Sequence, residues 1–288
     1  MAASRTASKK RTPVWKEVEE AQARRVGNRV RAARVKRPRR RYTVVYDTSG
    51  PKVRLGIVWF VVALAGIAIG PLAVAVAYGA AGAVAAAQTA RAWRRRRLRP
   101  NDVVAGGIAG AMGLGACFGA GGGGLALLAG VALAYVTATG DTKSPNAAMT
   151  DAGWTLQCAL PPGLVALSMV LLTRLDQGSA IGLLLLVSAY ETGDYLVGSG
   201  ARNPYEGPAA GGTAIVVVTF ILSTLPISAL DFGEAWLFGG LVMVCAPLGQ
   251  LAASALLPAA AAPASALRRI DSLLLAAPLW CFGIGLVI

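Results

Sequence analysis

Residues 181–198 read Ile-Gly-Leu-Leu-Leu-Leu-Val-Ser-Ala-Tyr-Glu-Thr-Gly-Asp-Tyr-Leu-Val-Gly, an apolar run from Ile181 to Ala189 that leads straight into Glu191 and Asp194. On a helix, residues three apart share one face, so the two carboxylates point the same way. An acid at membrane depth costs from about 3 to more than about 10 kcal/mol. It is tolerated where it faces a cavity, a partner or a cation. Two readings follow. Either the helix ends near Glu191 and both acids lie in headgroup water, or they belong to a polar site inside a helix bundle.

The rest of the chain supports a membrane setting. Its 288 residues are 55% hydrophobic, with several long apolar runs, and the mean hydropathy is +0.57. This composition belongs to multi-span helical membrane proteins. The ten-residue alternation of a transmembrane barrel does not occur. The chain has no histidine, which removes imidazole bases, histidine metal ligands and Ser-His-Asp catalysis. Cys117, Cys158, Cys245 and Cys281 lie singly in apolar segments. They read as small buried hydrophobes rather than disulfide or metal ligands.

Nine apolar segments are expected, at 55–70, 71–90, 102–118, 121–138, 152–173, 179–198, 210–230, 235–258 and 272–288. Gly70-Pro71 separates the first two, which could form a bent hairpin or one long helix with a re-entrant piece. Gly119 to Gly124 reads as a turn between the third and fourth. It lacks the Lys-Ser/Thr ending and the preceding strand of a phosphate-binding loop. Gly106/Gly110, Gly115/Gly119 and Gly119/Gly123 have the spacing that lets helices approach closely.

Charge sets the orientation. Residues 1–54 hold 17 Lys/Arg against four acids, a net +13 of the chain's +14. If this arm is cytoplasmic and all nine segments cross, 27 of the 28 Lys/Arg fall on the cytoplasmic side and only Arg174 on the other. That asymmetry predicts an inside N-terminus and an odd number of crossings. Trp59, Trp93, Trp154, Trp236 and Trp280 are candidates for interface anchors, several of them near segment ends. The fold class expected is therefore all-α: a polytopic integral membrane bundle of about nine transmembrane segments over residues 51–288, preceded by a basic tail at 1–50. The tail is disordered or an amphipathic helix over Pro13 to Arg34 that rests on anionic lipid headgroups. The Arg37–Arg41 run would also suit nucleic acid, but basic flanks are expected on the cytoplasmic side of any membrane protein.

By this topology Glu191, Asp194, Arg202, Glu206, Gly249, Gln250, Arg268, Arg269 and Asp271 converge on one leaflet. A site there could meet a water-soluble nucleotide and a lipid headgroup together.

At these residues the chain resembles the phosphatidate cytidylyltransferase family, multi-span enzymes that join CTP and phosphatidic acid to give CDP-diacylglycerol and pyrophosphate. Glu191-Thr192-Gly193-Asp194-Tyr195-Leu196-Val197-Gly198 is similar to the family's Asp-Thr-Gly-Ala-Tyr-Phe-Val-Gly stretch. Glu206-Gly207 survives from a Ser-Pro-Lys-Lys-Thr-x-Glu-Gly loop, with Arg202 standing for one lysine. Gly249-Gln250-Leu251-Ala252-Ala253-Ser254 resembles Gly-Asp-Leu-x-x-Ser, with Gln in place of Asp. Arg269-Ile270-Asp271-Ser272 resembles the end of the signature Asp-Arg-x-Asp-Ser. The family's Lys-Arg, Lys-Asp and His-Gly-Gly elements have no counterpart in the uncharged stretch 256–266.

The resemblance spans roughly residues 50–288, with specific motifs only after 190. It implies a bacterial-type inner-membrane enzyme of phospholipid biosynthesis, with CTP and phosphatidic acid as partners. Glu191, Asp194 and Asp271 would hold Mg²⁺, Asp271 and Arg269 would be catalytic, and Arg202, Glu206 and Gln250 would line the nucleotide site. A second copy of the chain is a further candidate partner. The departures favour an alternative, a non-catalytic lipid-binding or scaffold protein of the same fold, in which Arg269 and Asp271 form a structural ion pair. A neutral Gln250 cannot replace a carboxylate's charge on a hard cation. A small transporter is the remaining reading, since acids within helices suit ion coupling, but no inverted repeat is visible.

Overall fold

The computed structural model describes residues 50–94, 98–141, 144–199, 201, 203, 205–225, 230–259 and 262–287. The basic tail up to residue 49, and Arg202, lie outside the described residues. Among them the chain is an all-α bundle of nine helices: α1 (Gly50–Ile69), α2 (Pro71–Arg94), α3 (Asp102–Gly115), α4 (Ala120–Asp141), α5 (Pro145–Leu175), α6 (Gln177–Gly198), α7 (Glu206–Thr224), α8 (Phe232–Leu256) and α9 (Leu273–Val287). Short 3₁₀ turns at Ala116–Phe118 and Leu267–Arg269 follow α3 and precede α9. Six helices, α2 and α4 to α8, are long and apolar enough to cross a membrane. The apolar stretches Arg54–Ile69, Asp102–Phe118 and Leu273–Val287 are shorter. At about 1.5 Å per residue they fall short of a hydrocarbon core about 30 Å thick.

The helix boundaries follow local chemistry. Gly70, with φ +126°, breaks the chain between α1 and α2, and Pro71 starts α2 with the φ a first helical position needs. The Asn101 side chain accepts from the backbone N–H of Val103 and Val104, both at 3.1 Å, and so caps α3. Asp176 does the same for α6, accepting from Ser179 N–H at 2.7 Å.

Three boundaries differ from the sequence expectation. The glycine turn after α3 is confined to Gly119, with φ +92°, and residues 121–124 already belong to α4. A side chain at Gly122 would collide with the Gly115 carbonyl oxygen, so these glycines serve helix–helix approach rather than a loop. Helix α5 begins at Pro145 rather than near 152, because Ser144 in an extended conformation and Pro at the first position start it ahead of the apolar run. Helix α7 covers Glu206–Thr224, displaced toward the N-terminus from the expected 210–230. The Glu206 carboxylate accepts the Asn203 N–H at 3.3 Å and fixes that start.

Helices α2, α3, α4 and α5 pack as one group, and α6 pairs with α7, α7 with α8, and α8 with α9. Helix α5 also meets α9, and α1 lies against both α2 and α6. Inside the first group a core of Ala86, Ala90, Ile108, Ala109, Met112 and Ala159 is closed by small residues. The four cysteines are free thiols, three of them buried.

Candidate functional site

The helix does not end at Glu191. It continues to Gly198, so Tyr190, Glu191 and Asp194 are all helical, with Asp194 buried and Glu191 half-buried. Two close approaches hold this end of α6. A side chain at Gly193 would stand 2.8 Å from the Ala210 carbonyl oxygen, and one at Gly211 would stand 2.6 Å from the Tyr190 ring. Glycine at both positions lets α7 press against α6 and turns the acids toward α8.

Helix α8 answers with Gln250 and Ser254, one turn apart on the same face and both buried. The Gln250 amide donates to Asp194 Oδ2 at 3.3 Å. Its carbonyl oxygen accepts the Tyr190 hydroxyl at 3.4 Å. The segment before α9 forms the third wall. Gly249 lets it lie directly on α8, since a Cβ there would collide with the Asp271 carbonyl oxygen. Arg268 donates to Ser254 Oγ at 3.0 Å and stands 3.6 Å from Asp271 Oδ2. Asp271 Oδ1 accepts the Ser272 N–H at 2.9 Å. The Ser272 hydroxyl hydrogen-bonds Glu191 as well, and Arg269 and Asp271 are both within electrostatic reach of that carboxylate.

Glu191, Asp194, Gln250, Arg268, Arg269 and Asp271 therefore occupy one cluster, although nearly eighty residues separate its first and last members. Glu206 is not tied to it by any described bond; it is exposed at the start of α7 and engaged with Asn203. Arg268 forms an ion pair with Asp271, where the sequence offered Arg269 for that place. Arg268 and Asp271 stand three residues apart, across the end of the 3₁₀ turn at 267–269. A Cβ placed on Gly56 of α1 would lie 3.0 Å from Arg269 Nη1. Burial pushes the Asp271 carboxyl up to about 6, against the opposing pull of Arg268.

The donor set does not fit a preformed Mg²⁺ site. Among the described residues no three acid or thiol side chains gather in a metal-binding arrangement. One oxygen of Asp194 is engaged by an amide N–H from the residue that stands where a further carboxylate is expected. What the arrangement offers instead is a set of guanidinium and hydroxyl donors, from Arg268, Arg269, Ser254 and Ser272, beside the acids Glu191, Asp194 and Asp271.

Sequence reading missed Gln88 and Tyr78 in this region and marked Trp93 only as a candidate interface anchor. Gln88 accepts the Ala266 N–H at 2.9 Å, and Trp93 Nε1 donates to the Leu256 carbonyl at 2.7 Å. Together they moor the uncharged 257–266 connector to α2. Tyr78, also on α2, is buried with its ring edge-on to Trp59, centroids 5.3 Å apart, and within electrostatic reach of Glu191. Tyr78 and Gln88 are lone polar groups in an alanine-rich run, the same signal that singled out Glu191. No family model matches the chain, and no curated protein matches it.

Proposed function

We propose that the protein is a membrane protein of the phosphatidate cytidylyltransferase type, acting on CTP and phosphatidic acid at the cytoplasmic leaflet. The observation that carries this reading is the meeting of three separate motif-like stretches, around 191–198, 249–254 and 269–272, in one buried polar cluster. Stretches so far apart in sequence have no local reason to converge. A shared task at one site supplies one.

In this reading the cluster end of the bundle faces the cytoplasm of a bacterial-type inner membrane, because Arg91, Arg94 and Arg99 flank the same ends of α2 and α3. Arg268 and Arg269 hold phosphate charge by charge-assisted hydrogen bonds. Ser254 and Ser272 orient them. The acids keep the guanidiniums in place while the site is empty. The reaction class is nucleotidyl transfer, in which an oxygen of the lipid phosphate attacks the α-phosphate of CTP and pyrophosphate leaves.

A second reading has its own support. Gln250 bonded to Asp194, with no acids gathered in a metal-binding arrangement among the described residues, favours a protein that binds the lipid phosphate without transferring to it. Purified protein supplied with radiolabelled CTP, phosphatidic acid and Mg²⁺ separates the two. Label entering the organic phase as CDP-diacylglycerol supports transfer. Saturable binding of phosphatidic acid without product supports the second reading. Neither product nor binding overturns both.

A further inference from the structure

Helix α2 ends on two arginines that one carboxylate holds together. Asp102, the first residue of α3, accepts Arg91 Nε–H on Oδ2 at 2.7 Å and Arg94 Nη1–H on Oδ1 at 2.6 Å. The carboxylate is 13% exposed, while the two arginine side chains are 63% and 57% exposed. The clamp stands on a fixed base. The Asn101 N–H donates to Thr155 Oγ1 of α5 at 3.0 Å, and the Asn101 side chain caps α3. Trp93, between the two arginines in sequence, packs against Trp154 of α5 with ring centroids 4.7 Å apart and donates to the Leu256 carbonyl of α8. One arginine would neutralise one carboxylate. Two leave a net positive charge, and each guanidinium gives Asp102 only one N–H of its planar fork.

The surface next to the clamp is apolar. Val76 and Val84 are exposed on α2, and Val103 and Leu114 on α3. Val84 lies seven residues before Arg91, which puts both on one face of α2. The two helices run side by side, since a Cβ on Gly106 would stand 3.0 Å from the Ala83 carbonyl oxygen. Helix α2 is long and apolar enough to cross a membrane, and Arg91 and Arg94 stand in its last turn, at headgroup level with Trp93. We propose that Arg91, Arg94 and Asp102 form a binding site for the phosphodiester of an anionic phospholipid, separate from the polar cluster of α6, α8 and the segment before α9. Asp102 holds the two guanidiniums side by side before the lipid arrives and offsets their repulsion, which lowers the cost of ordering them on binding. The phosphate oxygens accept N–H donors from both arginines, and the acyl chains lie along the exposed faces of α2 and α3. The site goes beyond nucleotidyl transfer: a lipid held there is a fixed neighbour and not a substrate.

The test is lipid retention by the full-length purified protein in detergent, read by native mass spectrometry with dioleoyl phosphatidylglycerol and dioleoyl phosphatidylcholine. Phosphatidylglycerol carries a phosphodiester, so it reads this site apart from the phosphomonoester proposed for the polar cluster. Wild type binds one phosphatidylglycerol about tenfold more tightly than phosphatidylcholine. Arg91→Gln combined with Arg94→Gln weakens that binding about 30-fold. Asp102→Asn releases the clamp, and phosphatidylglycerol binds about tenfold more weakly although the net positive charge has risen. Plain attraction by the six arginines of 91–99 would make the same variant bind more tightly. Unchanged or tighter binding to folded Asp102→Asn therefore overturns the inference. Arg99→Gln, the control for charge alone, changes affinity by less than about twofold. A loss on Arg99→Gln equal to that of the double substitution overturns the inference too, and this comparison decides alone if Asp102→Asn does not fold. Inorganic phosphate that displaces the lipid at equal concentration would remove the apolar faces from the site and overturn the lipid as its occupant. In each overturning case phosphatidic acid still has the polar cluster, and the proposed function stands.

Discussion

Where α2 crosses α5, backbone meets backbone: a Cβ on Gly82 would stand 3.0 Å from the Pro162 carbonyl oxygen. Pro161 and Pro162 sit inside α5, where they free carbonyls of the preceding turn, and small residues on α2 and α3 fill the space beside them. Where α6 crosses α8, side chains meet instead, through the Tyr190–Gln250–Asp194 chain, and the Arg268–Asp271 pair of the segment before α9 lies against α8. The first region excludes volume and tolerates no added atom. The second excludes unpaired charge and tolerates no lost partner. A membrane protein gains little from the hydrophobic effect between its helices, so close packing and polar bonds must hold it together. Here the two devices are assigned to different halves of one bundle, and only the second half is equipped to receive a polar ligand within the bundle.

The largest expected effect lies in the polar half. If transfer occurs, Asp271→Asn lowers turnover of CTP and phosphatidic acid at least about 100-fold, as loss of a preorganised electrostatic group does. Stability changes much less. Equal losses of folding and activity would make Asp271 a structural residue and erase the contrast with the α2–α5 crossing.

Next comes the packed half. Gly82→Val forces α2 away from the Pro162 carbonyl and destabilises the protein by about 2 kcal/mol. Lipid binding per folded molecule is retained, because α2 only moors the connector, through Gln88 and Trp93, and the cluster's own side chains stand on other elements. Thermal unfolding and a phosphatidic acid titration on the same sample read both quantities. A loss of binding out of proportion to unfolding would mean the halves are coupled.

The distinction inside the polar half is sharpened by Gln250→Asp. The change adds an acid beside Asp194 and removes the N–H that engages it. In chelator the variant is less stable by about 1 to 3 kcal/mol, the cost of breaking a buried polar pair, and Mn²⁺ restores its Tm. Wild type gains no such stabilisation from Mn²⁺. A wild-type protein that Mn²⁺ stabilises equally would show that Gln250 does not set the donor set apart from a metal site.

The smallest effect is a pH dependence. The Asp271 carboxyl is held up at about 6 from its ordinary value of 3.8. The folded state therefore favours the protonated form. Its contribution to stability is fully present below the ordinary value and is lost as pH rises through about 6. Asp271→Asn flattens this part of the Tm–pH profile, and the packed half contributes nothing to it. A slope unchanged by the substitution would assign the titration to another group.

Sequence periodicity and charge settled much of the architecture. The apolar runs marked all nine helices, since hydrophobicity of that length has no other stable outcome in a chain with few charges. Cost in a low dielectric marked Glu191 and Asp194 as residues that needed partners, and the arginines beside Asp271 as candidates to supply them. Those properties are local, so the amino-acid order carries them. Which partner each group takes was not local. That Asp271 pairs with Arg268 depends on how the chain runs from the 3₁₀ turn at 267–269 into α9. That Gln250 reaches Asp194 and that α2 moors the connector through Gln88 and Trp93 both depend on how α2, α6 and α8 are placed in the bundle. Only tertiary structure decides such contacts, because a side chain's hydrogen bond is chosen within a few tenths of an ångström, while sequence spacing fixes only the face of the helix it leaves from.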